Sequence, residues 1–71
     1  MAAAEKLEEL CALARVRAMT GMGTTFIYGE IKDGRFPKPI RVGRRSLWVL
    51  SEVQRWVAQQ ITRNRPPQPG G

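Results

Sequence analysis

Arg41, Arg44 and Arg45 lie close together in the stretch "GRFPKPIRVGRRSLW" at positions 34–48, with Arg35 and Lys38 just upstream. An arginine presents a planar fork of N–H donors that fits phosphate oxygens and stays charged at any ordinary pH. The chemistry this set offers is phosphate binding. Charge on an edge strand also keeps short hairpins soluble. Two arginines at a turn, in a chain of formal net charge +6, favour the phosphate reading. Catalytic chemistry has little to work with, because there is no histidine and a single cysteine, Cys11. That removes His-based acid–base and nucleophilic catalysis. It also removes a disulfide within the chain and a zinc site of Cys and His ligands in the monomer. No glycine motif is suited to cradling a nucleotide, and no cofactor or metal is expected.

A second set consists of Thr24, Thr25, Tyr28 and Lys32, directly after the glycine pair of "TGMG". On a helix beginning there, Thr25, Tyr28 and Lys32 share one face at 100° per residue, while Ile27 and Ile31 share another. Small polar side chains at the start of a helix that follows a tight turn are the ones that approach base edges. A plain solvated helix face is the alternative. Tyr28 can also be half-buried, with its hydroxyl as a polar handle.

These two sets need particular elements behind them. "AAAEKLEELCALA" consists of strong helix formers, and Leu7, Leu10, Cys11 and Ala14 follow helical spacing. A helix is expected over about 4–19, with a break near Ala14 as the alternative. The glycines at 21 and 23 then make a turn, Gly23 or Thr24 caps a second helix, and Gly34 stops it. Pro37 and Pro39 force their neighbours into extended geometry. "IRV" and "SLWVL" read as two short strands around a turn containing Arg44 and Arg45. Ser51 and Gln54 read as a capping box for a closing helix with Val53, Trp56, Val57 and Ile61 along one stripe. Helix, turn, helix, hairpin, helix is an α+β winged helix-turn-helix in which the second helix enters the major groove. The basic wing would reach phosphates or a minor groove. The expected division is an acidic helical extension over 1–13, a DNA-binding domain over 14–61 and a disordered Pro/Gly-rich tail over 62–71.

The sequence "MTGMGTTFIYGEIKDGRFPKPIRVGRRSLWVLSEVQRWV" resembles the AlpA family of small phage-derived regulators and excisionases, related to the DNA-binding heads of MerR-type proteins. The matching features are Thr20-Gly21, Tyr28, "DGRFPKPIRVG", the basic pair before Trp48, and "SEVQRW". The resemblance implies a sequence-specific DNA-binding protein of a mobile element. It would act as an excisionase or recombination directionality factor, or as a transcriptional regulator. The family often carries a basic residue where Gly29 stands, so the second helix has one basic contact fewer.

The partition of charge agrees with an anionic partner. Residues 1–14 hold Lys6 against three glutamates, whereas the body and tail hold the other basic groups against Glu30, Asp33 and Glu52. Double-stranded DNA is the expected partner, with further copies of the chain on the same DNA and an integrase as a candidate. No stretch reads as a signal peptide or a membrane span, so a cytoplasmic, nucleoid-associated protein with no membrane partner is expected. Trp48, Trp56, Phe36 and Cys11 read as core residues. Phe26 reads equally as a contact between copies or as packing on the first helix. The competing function is a protein-interaction module whose amphipathic N-terminal helix docks a partner.

Overall fold

The computed structural model describes residues 7–66. The order is β1 (Leu10–Cys11), α1 (Leu13–Thr20), α2 (Thr24–Lys32), β2 (Ile40–Val42), β3 (Arg45–Val49) and α3 (Leu50–Asn64). The strands form one antiparallel sheet in the order β1-β3-β2. Three helices beside this sheet make an α+β, winged-helix arrangement, as the residue pattern predicts.

Glycine ends both of the first helices. Gly21 takes a left-handed conformation with φ 74° and donates its N–H to the Arg17 carbonyl at 2.8 Å. Gly23 is the N-cap of α2, in agreement with one of the two expected caps. At the far end, Gly34 has φ 78°. Its N–H bonds to Ile31 O at 3.0 Å, and the next N–H, of Arg35, bonds to Glu30 O at 2.8 Å. This pair of bonds is a Schellman motif. It satisfies two helix-end carbonyls and turns the chain sharply toward the wing.

The expected helix over 4–19 is corrected in its first half. Residues 7–9 are not helical, Leu10–Cys11 form β1, and only Leu13–Thr20 are helix. Leu10 pairs with Val49 and Cys11 with Trp48. The Leu50 N–H continues the ladder to Glu9 O at 2.7 Å. Local helix propensity amounts to tenths of a kcal/mol per residue. Pairing with β3 and burying Cys11 outweigh it. The apolar spacing at 7, 10, 11 and 14 is therefore not a helical face: Leu7, Leu10 and Ala14 are exposed and Cys11 is buried. Residues 10 and 11 belong to the sheet. Residues 4–6 of that expected helix lie outside the described residues.

The capping box is also corrected. α3 follows β3 without a loop, Val49 is its N-cap, and no side chain caps it. Ser51 Oγ instead donates to Glu8 Oε1 at 2.9 Å, tying the chain before β1 to the start of α3. α3 runs on to Asn64, into the segment expected as tail; the part of that tail over 67–71 lies outside the described residues.

Every element except β2 gives the core a side chain. Cys11, Val16, Ile27, Trp48, Val53 and Trp56 are buried together with Phe36 from the loop after α2. The four expected core residues are all among them. Burial pushes the Cys11 thiol above its usual pKa, with nearby Arg15 opposing. The thiol donates to the Trp48 carbonyl at 3.6 Å.

Candidate nucleic-acid interface

α2 holds one side to the core through buried Ile27 and half-buried Ile31. Thr24, Thr25, Tyr28 and Lys32 are all exposed, as expected for an open face. Phe26 is exposed as well, at 43%. The Tyr28 ring meets Trp48 edge-on, with centroids 6.1 Å apart and planes at 66°. That contact joins the open helix to the sheet. It makes Tyr28 both a surface residue and a packing residue.

The hairpin turns over Gly43-Arg44, with Val42 paired to Arg45. Gly43 has φ 62°, and no other residue type among the described residues has a positive φ. A positive φ at the first turn position alone is the pattern of a type II′ turn, which suits the twist of a hairpin. Arg44 is thereby fixed at the tip.

Residues paired across strands share a face, and neighbours along a strand alternate. Arg41 pairs with Ser46, so both lie on the face of Trp48 and Cys11. Since Trp48 touches Tyr28, this is the face beside α2. Arg45 pairs with Val42 and lies on the opposite, outer face. The three wing arginines thus divide into one beside α2, one at the tip and one turned away.

Lys38 is exposed in the proline segment at the base of the wing. Arg35 is exposed too, but its guanidinium is engaged. Nε and Nη2 donate to the Glu30 carboxylate at 2.9 and 2.8 Å, and Nη2 also reaches Asp33 at 3.0 Å. Among the described residues these are the only ion pairs. The hydrogen bond from Arg35 holds the Glu30 carboxyl below its ordinary pKa, and the bond to Glu30 raises the Arg35 pKa in turn. Two acidic groups at the end of α2 would otherwise face any phosphate nearby, and Arg35 offsets them.

Two features escaped the sequence. Trp56 Nε1 donates to Arg35 O at 2.8 Å and Trp48 Nε1 donates to Pro37 O at 3.1 Å. The Phe36 ring packs edge-on against Trp56 at 4.9 Å. Both indoles, one from β3 and one from α3, therefore hold the backbone that links α2 to the wing. Core tryptophans were legible from spacing; the targets of their N–H groups were not, because they are set by tertiary approach. The other feature is Arg17, exposed on α1 and lining a shallow depression over Gly21-Met22-Gly23. Its position four residues before Gly21 was the available signal. It brings a cation to the turn from which α2 starts.

Among the described residues no group of acidic, Cys or His side chains could hold a metal ion, and no helix is long and apolar enough to cross a membrane. A family model described as prophage CP4-57 regulatory protein (AlpA) matches residues 10–61, the span from β1 to most of α3. No match was found among curated proteins or among solved structures.

Proposed function

We propose that this chain, which belongs to the AlpA family of prophage regulatory proteins, is a non-enzymatic double-stranded DNA-binding protein that regulates a mobile element. The observation that carries the reading is the adjacency of an open α2 face and a cationic hairpin, joined through Tyr28 and Trp48. α2 enters the major groove with Thr24, Thr25 and Tyr28 toward base edges. Lys32, Lys38, Arg41 and Arg44 serve phosphates, and Arg17 adds a contact at the turn. Arg35 takes part through the carboxylates it neutralises. Arg45, on the outer face, is the wing arginine least suited to the same DNA surface.

A helix carrying Gly29 on its open side reads few base pairs, and each mismatch is typically worth about 1–3 kcal/mol. Useful specificity then requires several copies on one DNA region, whose linked binding multiplies modest affinities. Such an array fits both excision control and transcriptional control, with an integrase as a further partner in the first. The protein acts in the cytoplasm, on the nucleoid.

The test is a titration of the whole chain on random duplex and on DNA flanking its own gene, each at two salt concentrations. Steep salt dependence on both DNAs, with several cooperative shifts on the second, supports the reading. Thr25→Ala and Tyr28→Phe should reduce discrimination between the two DNAs with the fold intact. Phe keeps the ring against Trp48, so only the hydroxyl is tested. Absence of any shift at low salt sinks the proposal and favours a protein-interaction module.

A further inference from the structure

Gly29 stands on α2 opposite the side that Ile27 and Ile31 hold to the core. Thr25 and Phe26 lie one turn before it and Lys32 one turn after, as its neighbours on the helix surface. Nothing lies within 4 Å of the place where a Cβ would stand at Gly29. The middle of the open side is therefore a notch, with Thr25 and Phe26, both exposed, on its N-terminal side. Direct readout makes definite demands on such a helix. Guanine is read by arginine or lysine, adenine by asparagine or glutamine, and cytosine by aspartate or glutamate. Thymine is read through its C5 methyl by threonine methyls and by phenylalanine. From Thr24 to Ile31 the helix has no arginine, lysine, asparagine, glutamine or aspartate. Its one acid, Glu30, has both carboxylate oxygens engaged by Arg35. Lys32 stands in the last turn, away from the end that leads into the groove. The hydroxyls of Thr24, Thr25 and Tyr28 can donate or accept, so they favour no base. What remains to discriminate is the Thr25 methyl, the Phe26 ring and the notch, where the backbone can come close to a base.

We propose that α2 selects thymine, by covering the C5 methyl groups of A·T pairs with Thr25, Phe26 and the notch at Gly29. This rests on the DNA-binding reading and names the base that the helix reads. An apolar ring gains from covering a methyl group. Over the edge of a G·C pair the same ring takes water from donors and acceptors and returns no hydrogen bond. The preference thus combines an attraction with a penalty against the alternative. Each methyl covered is worth about fourfold in affinity, the scale of one buried methyl group. Phe26 gains a role that phosphate contact does not give it. Gly29 becomes part of the readout, and not only a place where a basic contact is missing.

The test is selection of duplexes from a randomised pool by the full chain, followed by replacement of single thymines with uracil in the selected duplex. Uracil keeps the base pair and removes only the methyl. The expected result is a selected core of A·T pairs in which uracil at one or two positions weakens binding about fourfold each. Uracil outside that core should change nothing. Thr25→Ser removes a methyl and keeps the hydroxyl, and Phe26→Ala removes the ring. Each should bring the ratio of thymine to uracil affinity toward one at a position of the core, with an unchanged circular dichroism spectrum. Gly29→Leu fills the notch with a better helix former. It should lower the same ratio without lowering the melting temperature. Salt-dependent binding that is indifferent to uracil throughout the core overturns the proposal and leaves the DNA-binding reading standing. So does a selected core of G·C pairs. A Phe26→Ala variant that loses only cooperativity between copies overturns the role of the ring. Absence of any binding to the pool at low salt strikes the DNA-binding reading itself.

Discussion

At the base of the wing, Arg35 is tied to Glu30 and Asp33, and the backbone on either side of Phe36 accepts hydrogen bonds from Trp56 and Trp48. At the tip, Arg44 follows Gly43 in a two-residue turn and has no carboxylate partner among the described residues. The residue type is the same and the physical role is reversed. A guanidinium that neutralises its own chain fixes geometry and adds little net field. One held out at a turn keeps its charge for a partner. A chain of 71 residues has little core to stiffen a projection. Here the stiffness comes from two indole N–H groups and an ion-paired helix end, all at the base.

The largest effect should come from removing the base. Trp48→Ala deletes a fully buried ring, its bond to Pro37 O and the contact with Tyr28. Such truncations cost about 3–5 kcal/mol, most or all of the stability of so small a domain. Thermal melting by circular dichroism should show loss of the cooperative transition. Trp56→Phe is the finer version, because it keeps a ring against Phe36 while removing the donor to Arg35 O and part of the buried indole. It should cost about 1–3 kcal/mol, from the lost hydrogen bond and the smaller buried ring together. A variant as stable as the parent would mean that the indole bond does not hold the base.

The tip should behave in the opposite way. Arg44→Ala should leave the melting temperature within error and lower the slope of log K against log salt by about 0.9, one phosphate contact on B-DNA. Arg41→Ala should act similarly. Arg45→Ala should leave the slope unchanged, since its side chain lies on the outer face. Equal slope losses at Arg44 and Arg45 would erase the difference between tip and outer face.

The smallest effect belongs to the ion pair at the base. The folded-state pKa of Glu30 is lowered, so the pair contributes above the ordinary carboxylate value of about 4.3 and is lost as pH falls through the lower folded value. Arg35→Ala should bring the Glu30 titration, followed by NMR, back toward that ordinary value, with only a minor change in melting. It should weaken DNA binding with little change of salt slope. Further Glu30→Gln and Asp33→Asn should recover the affinity. A slope loss equal to that of Arg44→Ala, without recovery, would make Arg35 a phosphate contact after all.

Several features were fixed by local chemistry alone. Glycines at 21, 23, 34 and 43 and prolines at 37 and 39 restrict φ or permit turns within one or two residues, so the order helix, turn, helix, hairpin, helix follows from them. Ile27, Trp48, Val53 and Trp56 carry burial on sequence spacing, and the run of arginines carries the sign of the partner. The tertiary structure decided what depends on residues distant in the chain. Leu10 and Cys11 are good helix material that became a strand, because Trp48 and Val49 offered a ladder and a place for the thiol. Arg35 looked like Arg41 and Arg44 until Glu30 and the left-handed Gly34 brought a carboxylate to it. Which arginine faces α2 and which faces away depended on strand register, where a shift of one residue exchanges the two faces. Propensity and φ restriction act over a few bonds. Pairing, burial and charge neutralisation act across space, and only the folded chain brings their partners together.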